Sequence, residues 1–507
     1  MFDLNSLFRL LAGYKKNIAE FDSPVKLQEK TLRGLLRRAK NTKFGEEHNF
    51  NAIKSVSDYQ KQVPLRKYED FWEKYWRPSF PILDNITWPG VIPYFCLSSG
   101  TSSGSTKYIP YTNEMIRSNS KAGLDLLIFH LLNRPKSKLF SGKSFVLGGS
   151  TDLNELAPGI FGGDLSGIAA KTLPWWAKYF YFPSAEMALI SNWEKKIDIL
   201  AENALKEKIT SLSGIPSWIL ILLEKMAAIS GRKDVSVAEL FPNLQMLVHG
   251  GVNFEPYYEQ FMKLLEGSNA ELREVYPASE GFIAIADKGY GQGLKLNYKH
   301  DIFFEFIPVE ELDSPNPTRH WLRNIELEQN YAIVLTTAAG LWSYIWGDTL
   351  KFIKRPPPRL LVTGRTSYFL SAFGEHLTGE EVEKAVSSAA AAIGKNINEY
   401  SLGALYPAKT GELGGHLLVV EFTNSSLGTH EEDNFKRIFK DKLCELNEDY
   451  KAHLAEGFGM KAPELKNVKE GTFAAWMKSR GKLGGQNKVP RIIAKKELFD
   501  NLQSFIS

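Results

Sequence analysis

Apolar positions near the start of the chain recur at helical spacing. Leu27, Leu32, Leu35 and Leu36 form one stripe with Arg and Lys between them, so residues 25–75 are predicted to form amphipathic helices that cap a core. The period then changes. Ile92-Pro93-Tyr94-Phe95-Cys96-Leu97 is a short apolar run, and Lys107-Tyr108-Ile109-Pro110-Tyr111 alternates, which predicts two strands flanking a polar loop. Thr112 or Asn113 offers an N-cap for a helix reaching about residue 133. Strand patterns at 144–147, 209–212 and 244–249 alternate with helical ones at 185–208 and 218–229. This rhythm predicts a largely parallel sheet with helices on both faces.

From Gly281 the pattern becomes strand-rich, with segments at 282–286, 294–297, 302–307, 332–337, 350–353 and 360–363. Gly289-Tyr290-Gly291-Gln292-Gly293 sits between two of them and reads as a hairpin turn instead of a nucleotide fingerprint. A new α+β unit begins near Phe373, with helices at 379–391 and 430–454 and strands at 402–405 and 416–422. At 507 residues the chain exceeds one ordinary core, and the predicted domains are 1–372 and 373–507.

Composition narrows the function classes. A formal charge of +4 is small for this length and gives no case for a nucleic-acid partner. No apolar run approaches a membrane span, and the N-terminus lacks a basic-then-apolar signal pattern. Two cysteines, Cys96 and Cys444, make neither a disulfide framework nor a zinc site. The expectation is a soluble, cytoplasmic protein without a membrane partner. Residues 461–496 are rich in Lys and Arg, which suits either a solvated surface or a small domain closing over an anion.

The candidate chemistry starts in the polar loop. Of the eleven residues from Leu97 to Lys107, nine are Ser, Thr or Gly. Glycines let successive N–H groups converge, hydroxyls add donors, and Lys107 adds a charge, a surface suited to a polyphosphate. A flexible linker fits the composition but not the flanking strands. Gly100-Thr101-Ser102-Ser103-Gly104 matches a nucleophile elbow, yet that device needs a helix directly after it, and Pro110 with its alternating strand follows. A P-loop also needs a helix there, and its Gly-to-Lys spacing is not met.

Further motifs follow in order: Tyr276-Pro277-Ala278-Ser279-Glu280-Gly281, Trp346-Gly347-Asp348, Gly364-Arg365 and Gly485-Gln486-Asn487-Lys488-Val489-Pro490-Arg491. With Gly214-Ile215-Pro216-Ser217-Trp218 and Gly471-Thr472-Phe473, the set resembles the acyl-adenylate-forming superfamily. Within it, the chain resembles a short bacterial-type member of the Gretchen Hagen auxin-responsive family of acyl acid–amido synthetases. The resemblance spans nearly the whole chain. It implies a large N-terminal α/β domain with a β-barrel-like subdomain and a small, mobile α+β C-terminal domain. It also implies a reaction in which ATP and a carboxylic acid give an acyl-adenylate, and an amine, commonly an amino acid, captures the acyl group as an amide.

The resemblance also implies roles. Ser98, Ser99, Gly100, Thr101 and Ser102 would cradle phosphates, and Lys107 would either neutralise charge there or point to solvent. Tyr276 would stack on adenine, with Ala278 and Ser279 beside it, and Glu280 would ligate Mg²⁺. Asp348 would take the ribose hydroxyls, because one carboxylate has two oxygens for two donors. Gly250 and Gly251 would let backbone approach the nucleotide, and Ser217, Trp218 and His249 would wall the acyl site. Gly364-Arg365-Thr366-Ser367 resembles a hinge, and Lys488 would bridge carboxylate and α-phosphate. Two alternatives stay open: a coenzyme A ligase using the same first step, and a catalytically silent nucleotide-binding protein. The acid, the amine and the oligomeric state have no signature in the sequence.

Overall fold

The computed structural model describes residues 5–19, 23–98, 107–148, 153–175, 177–190, 193–252, 254, 257–312, 314–365, 369–407, 412–423, 427–454, 459–480 and 489–506. Amphipathic stretches near the N-terminus fold as predicted, but in short pieces. Pro24–Ala39 is the longest after the first helix, Asn5–Ala19, and Thr42, Ser55 and Lys67 begin new turns as N-terminal flanks. Leu32, Leu35, Phe44, Tyr59, Phe71 and Trp76 bury one continuous apolar face against the sheet that follows.

A small four-stranded sheet comes first. It contains β1 (Tyr94–Ser98), β2 (Lys107–Tyr111) and, after β3 (Lys143–Val146), β4 (Asn154–Ala157) and β5 (Ile160–Gly163). β1 and β2 pair antiparallel from Tyr94↔Tyr111 to Ser98↔Lys107.

A twelve-stranded sheet dominates the molecule. Its first half joins β6 (Tyr181–Phe182), β3, β7 (Ile209–Gly214), β8 (Met246–Gly250) and β9 (Glu271–Ala278) in parallel. Its second half is antiparallel and runs through β10 (Gly281–Ile285), β11 (Leu294–Leu296), β12 (Ile302–Pro308), β13 (His320–Trp321), β14 (Asn330–Thr337), β15 (Tyr344–Lys354) and β16 (Arg359–Arg365). The predicted parallel sheet is therefore only half of the observed one. The turn Ser279-Glu280 reverses the chain after β9, and direction alternates from there. Along β8 the side chains alternate: Met246 and Val248 face Leu126 and Leu131 of the helix Asn113–Asn133, whereas Leu247 faces the helix Pro216–Ile229.

Residues beyond Phe373 form a separate sheet, in the order β21 (Glu464–Val468), β20 (Gly415–Phe422), β19 (Ile397–Leu405), β22 (Ile492–Ile493), after a short ribbon of β17 (Phe369–Leu370) and β18 (Leu377–Thr378). The helices Gly379–Ala392 and Thr429–Leu446 cover one face, and Thr472–Ser479 with Lys496–Ile506 cover the other.

Two predicted helices are broken. Residues 185–208 divide into Ala185–Ala188 and Trp193–Ala204. Residues 430–454 divide at Asn447, whose Oδ1 accepts the Tyr450 amide at 2.7 Å and whose Nδ2 donates to the His376 carbonyl at 3.1 Å. An Asn side chain that caps one helix ends the preceding one.

Candidate active site

The antiparallel half of the large sheet curls. Tyr276 lies on β9 and Asp348 on β15, four strands away in the sheet order, yet the Tyr276 hydroxyl donates to Asp348 Oδ2. The same curl lets the Tyr344 hydroxyl donate to Glu280 Oε1 at 3.3 Å. Trp346 inclines against the Tyr276 ring, centroids 5.2 Å apart. Tyr276, Glu280, Tyr344, Trp346 and Asp348 thus converge where the sheet changes from parallel to antiparallel. Ligands of open α/β sheets bind at carboxyl ends of strands near such points.

Glu280 and Asp348 are both buried, at 6% exposure each. Burial, then the charges of Glu280 and Glu69, pushes the Tyr344 hydroxyl well above its ordinary value, so it stays a donor. Burial, then Glu280 and Asp164, does the same to the Cys96 thiol, which lies two residues before Ser98 on β1. Asp164 also faces Lys196, whose ammonium burial lowers to about 8 and whose Nζ donates to the Ala188 carbonyl at 2.7 Å.

The N-terminal helices brace this region. The Arg66 amide donates to the Ser343 carbonyl at 3.0 Å, and the Ile345 amide donates back to Arg66 at 2.8 Å, fixing the start of β15. The Tyr68 hydroxyl accepts the Tyr108 amide at 2.9 Å, which anchors β2.

The Lys107 side chain is largely buried. Its Nζ is 3.5 Å from Glu69 Oε1 and 5.0 Å from the centre of the Tyr68 ring. Ser98 ends β1 opposite it. Ser99, Gly100, Thr101 and Ser102 lie outside the described residues, as do Thr366, Ser367 and Lys488. Arg365 ends β16 with its backbone opposite Asp348. Ala278 ends β9, and Ser279 and Glu280 form the turn to β10.

Gly250 meets β9 so closely that a Cβ there would stand 2.4 Å from the Val275 carbonyl oxygen. The His249 ring stacks on Phe254 with centroids 3.6 Å apart, near Tyr290 and on the face of the sheet that Leu247 shares. Burial lowers its imidazole to about 3, so the ring is neutral. Ser217 and Trp218 begin the helix Pro216–Ile229. Trp218 packs against His453 of the C-terminal unit.

The sequence motifs therefore identify Tyr276, Glu280 and Asp348 as a group, and the fold brings them together. Tyr344 escaped notice although it lies on the same strand as Trp346-Gly347-Asp348. Glu69 and Tyr68 carry no local signal, because their contacts to β2 span about forty residues. Among the described residues no group of three or more His, Cys, Asp or Glu converges on a metal position, and no helix is long and apolar enough to cross a membrane.

Family models cover most of the chain. The GH3 family N-terminal domain matches residues 15–270, the central domain 296–365 and the C-terminal domain 380–497. Indole-3-acetic acid-amido synthetase GH3.4 of Arabidopsis thaliana is 22% identical over 95% of this chain and 91% of its own length. Jasmonoyl--L-amino acid synthetase JAR4 of Nicotiana attenuata is 22% identical over 72% of this chain and 73% of its own. Among solved structures, the AtGH3.15 acyl acid amido synthetase in complex with 2,4-DB superposes with a TM-score of 0.59 at 18% identity, covering 95% of this chain and 94% of that one. A 2-hydroxyisobutyryl-CoA ligase in complex with 2-HIB-AMP and CoA gives the same TM-score, 0.59, at 16% identity over 96% of this chain and 93% of that one. The fold is that of acyl-adenylate-forming enzymes, and the chain belongs to the GH3 family.

Proposed function

We propose that this protein is an ATP-dependent ligase that adenylates a carboxylic acid and then transfers the acyl group to an amine, an amino acid. The observation that carries the proposal is the meeting of Tyr276, Glu280 and Asp348 at the curl of the large sheet, beside the hairpin of β1 and β2. The named relatives, an indole-3-acetic acid-amido synthetase and a jasmonoyl-L-amino acid synthetase, support it.

In this reading Ser98, Ser99, Gly100, Thr101 and Ser102 hold the phosphates of ATP, the Tyr276 ring faces adenine with Ala278 and Ser279 beside it, and Asp348 takes the ribose hydroxyls. Gly250 and Gly251 border the nucleotide, and Arg365 precedes the hinge between domains 1–372 and 373–507. Ser217, Trp218 and His249 belong to the walls around the acyl group. Lys107, held by Glu69, fixes the foot of the loop and adds positive potential beneath it, and Lys488 reaches the carboxylate and α-phosphate. Glu280 suits Mg²⁺ that arrives with ATP, since one carboxylate plus substrate phosphates is a usual magnesium set. When bound, that ion would neutralise charge on the phosphate oxygens. The same chain would act in the cytoplasm on small molecules alone.

A panel of carboxylic acids tested for acid-dependent pyrophosphate release from ATP checks the first step. Amino acids and coenzyme A, supplied separately to the acid that responds, identify the acceptor. Product with amino acids supports the proposal. Product with coenzyme A alone replaces the second step by thioester formation. Release with no acid in the panel contradicts it.

A further inference from the structure

A lysine is buried where three turns meet at the carboxyl ends of the parallel strands. Lys196, 1% exposed, lies in the first turn of the helix Trp193–Ala204. Its Nζ donates at 2.7 Å to the carbonyl of Ala188, the last residue of the helix Ala185–Ala188. It also donates at 3.3 Å to the carbonyl of Gly148, two residues past β3. Burial lowers this ammonium to about 8, and the charge of Asp164 opposes the lowering. An ammonium has three donors and no acceptor, so carbonyls and a carboxylate are the neighbours that make its burial tolerable.

Two of these neighbours lead to different flanks of the candidate site. Asp164 follows β5 directly, and β5 runs parallel to β1 with Gly163 opposite Cys96. Asp164 therefore stands alongside the end of the strand that leads to Ser98. The Cys96 thiol, pushed up first by burial, also feels Glu280 and then Asp164. The helix Leu165–Thr172 that Asp164 begins lies against β1.

Gly148 leads the other way. It is wedged against the same helix, since a Cβ on it would stand 2.8 Å from Ser166 Cβ. The Leu147 amide just before it donates to the Ser213 carbonyl at 2.8 Å, and a Cβ on Gly214 would stand 3.1 Å from Leu147 Cβ. Gly214 ends β7 and opens the segment that carries Ser217 and Trp218 into the helix Pro216–Ile229. One cation thus joins the flank that leads to the phosphate loop, through Asp164, to the flank that bears the acyl wall, through Gly148.

We infer that Lys196 is a positioning residue for adenylation, setting the acyl wall against the strand that leads to the phosphate loop so that the carboxylate of a bound acid is aimed at the nucleotide. The inference rests on the function proposed above. Pairing of β5 with β1 holds Asp164 in place without the lysine, whereas Gly148 would lose a donor. The loss of Lys196 therefore falls on the acyl flank. Displacing the reacting groups by about 1 Å costs on the order of 10²-fold in rate.

Lys196→Met, with Lys196→Gln as a second variant should the first not fold, separates positioning from packing. The readouts are acid-dependent ATP–pyrophosphate exchange over a range of acid concentrations, ATP affinity by calorimetry, and the acid KM on both sides of about pH 8. The expected result is a kcat/KM for the acid about 10²-fold lower, with ATP affinity within about twofold of the unaltered chain. In the unaltered chain the acid KM should rise as pH climbs past about 8 and the ammonium loses its proton. In the variant that rise should be absent. A packing defect would lower the amount of active protein and leave both the acid KM and its pH dependence as they were. An acid kcat/KM within about twofold of the unaltered chain, equal losses for acid and ATP, or the same rise with pH in both proteins overturns the inference. No exchange in the unaltered chain with any acid overturns the proposed function instead.

Discussion

At the scale of single residues, the contact between Tyr276 and Asp348 couples the two halves of the candidate nucleotide site. A hydrogen bond to a charged group contributes about 1.5–3 kcal/mol. Asp348→Asn is therefore expected to weaken ATP binding roughly 10- to 100-fold by calorimetry, and Tyr276→Phe to weaken it less, because the ring remains. Unchanged affinity in Asp348→Asn would remove the ribose role. Gly250 gives a stability test of different origin. Gly250→Ala places a methyl 2.4 Å from the Val275 carbonyl oxygen, and such overpacking costs about 1–3 kcal/mol. The urea midpoint should fall with an unchanged slope; an unshifted midpoint would show that β8 and β9 separate freely. Tyr276, Glu280 and Asp348 were legible because each sits in a short motif with small neighbours. Glu69 was not, since its partner Lys107 becomes a neighbour only after the N-terminal helices fold over the hairpin.

At the scale of elements, the helix Asn113–Asn133 is tied to β9 by charge. Burial alone would raise the Glu271 carboxyl. The His130 ring, its Nδ1 3.5 Å from Glu271 Oε2, and the guanidinium groups of Arg273 and Arg134 outweigh it and hold the group at about 2. Between that value and the ordinary 4.5, the unfolded chain binds a proton that the folded chain refuses, so stability falls as pH drops through this window. His130, lowered by burial, adds a loss in the same direction below 6.5. Glu271→Gln should flatten the acid limb of a stability-against-pH curve below pH 4.5, and an identical limb would assign acid sensitivity elsewhere. Periodicity located most strands but not their partners. The alternating stretches after Gly281 read as strands, yet nothing local says that β11 pairs with β16 and not with β12. The broken helix at Asn447 shows the converse, a capping side chain outweighing a continuous helical pattern.

At the scale of the whole molecule, two units meet along a seam in which the Tyr257 ring meets that of Tyr406 edge-on, centroids 5.8 Å apart, and Trp218 packs on His453. In the proposed function the larger unit binds ATP, and Lys488 of the smaller unit completes the electrophile. Lys488→Ala should leave ATP affinity intact and lower acid-dependent pyrophosphate release about 10²-fold or more; equal release would take Lys488 out of the first step. The central claim, that the acid's own carboxylate attacks the α-phosphorus of ATP, has one direct test. Turnover of a substrate acid labelled with oxygen-18 in its carboxyl group, followed by mass spectrometry of the nucleotide product, should place label in AMP and none in pyrophosphate. Unlabelled AMP, or label in pyrophosphate or inorganic phosphate, would contradict adenylation.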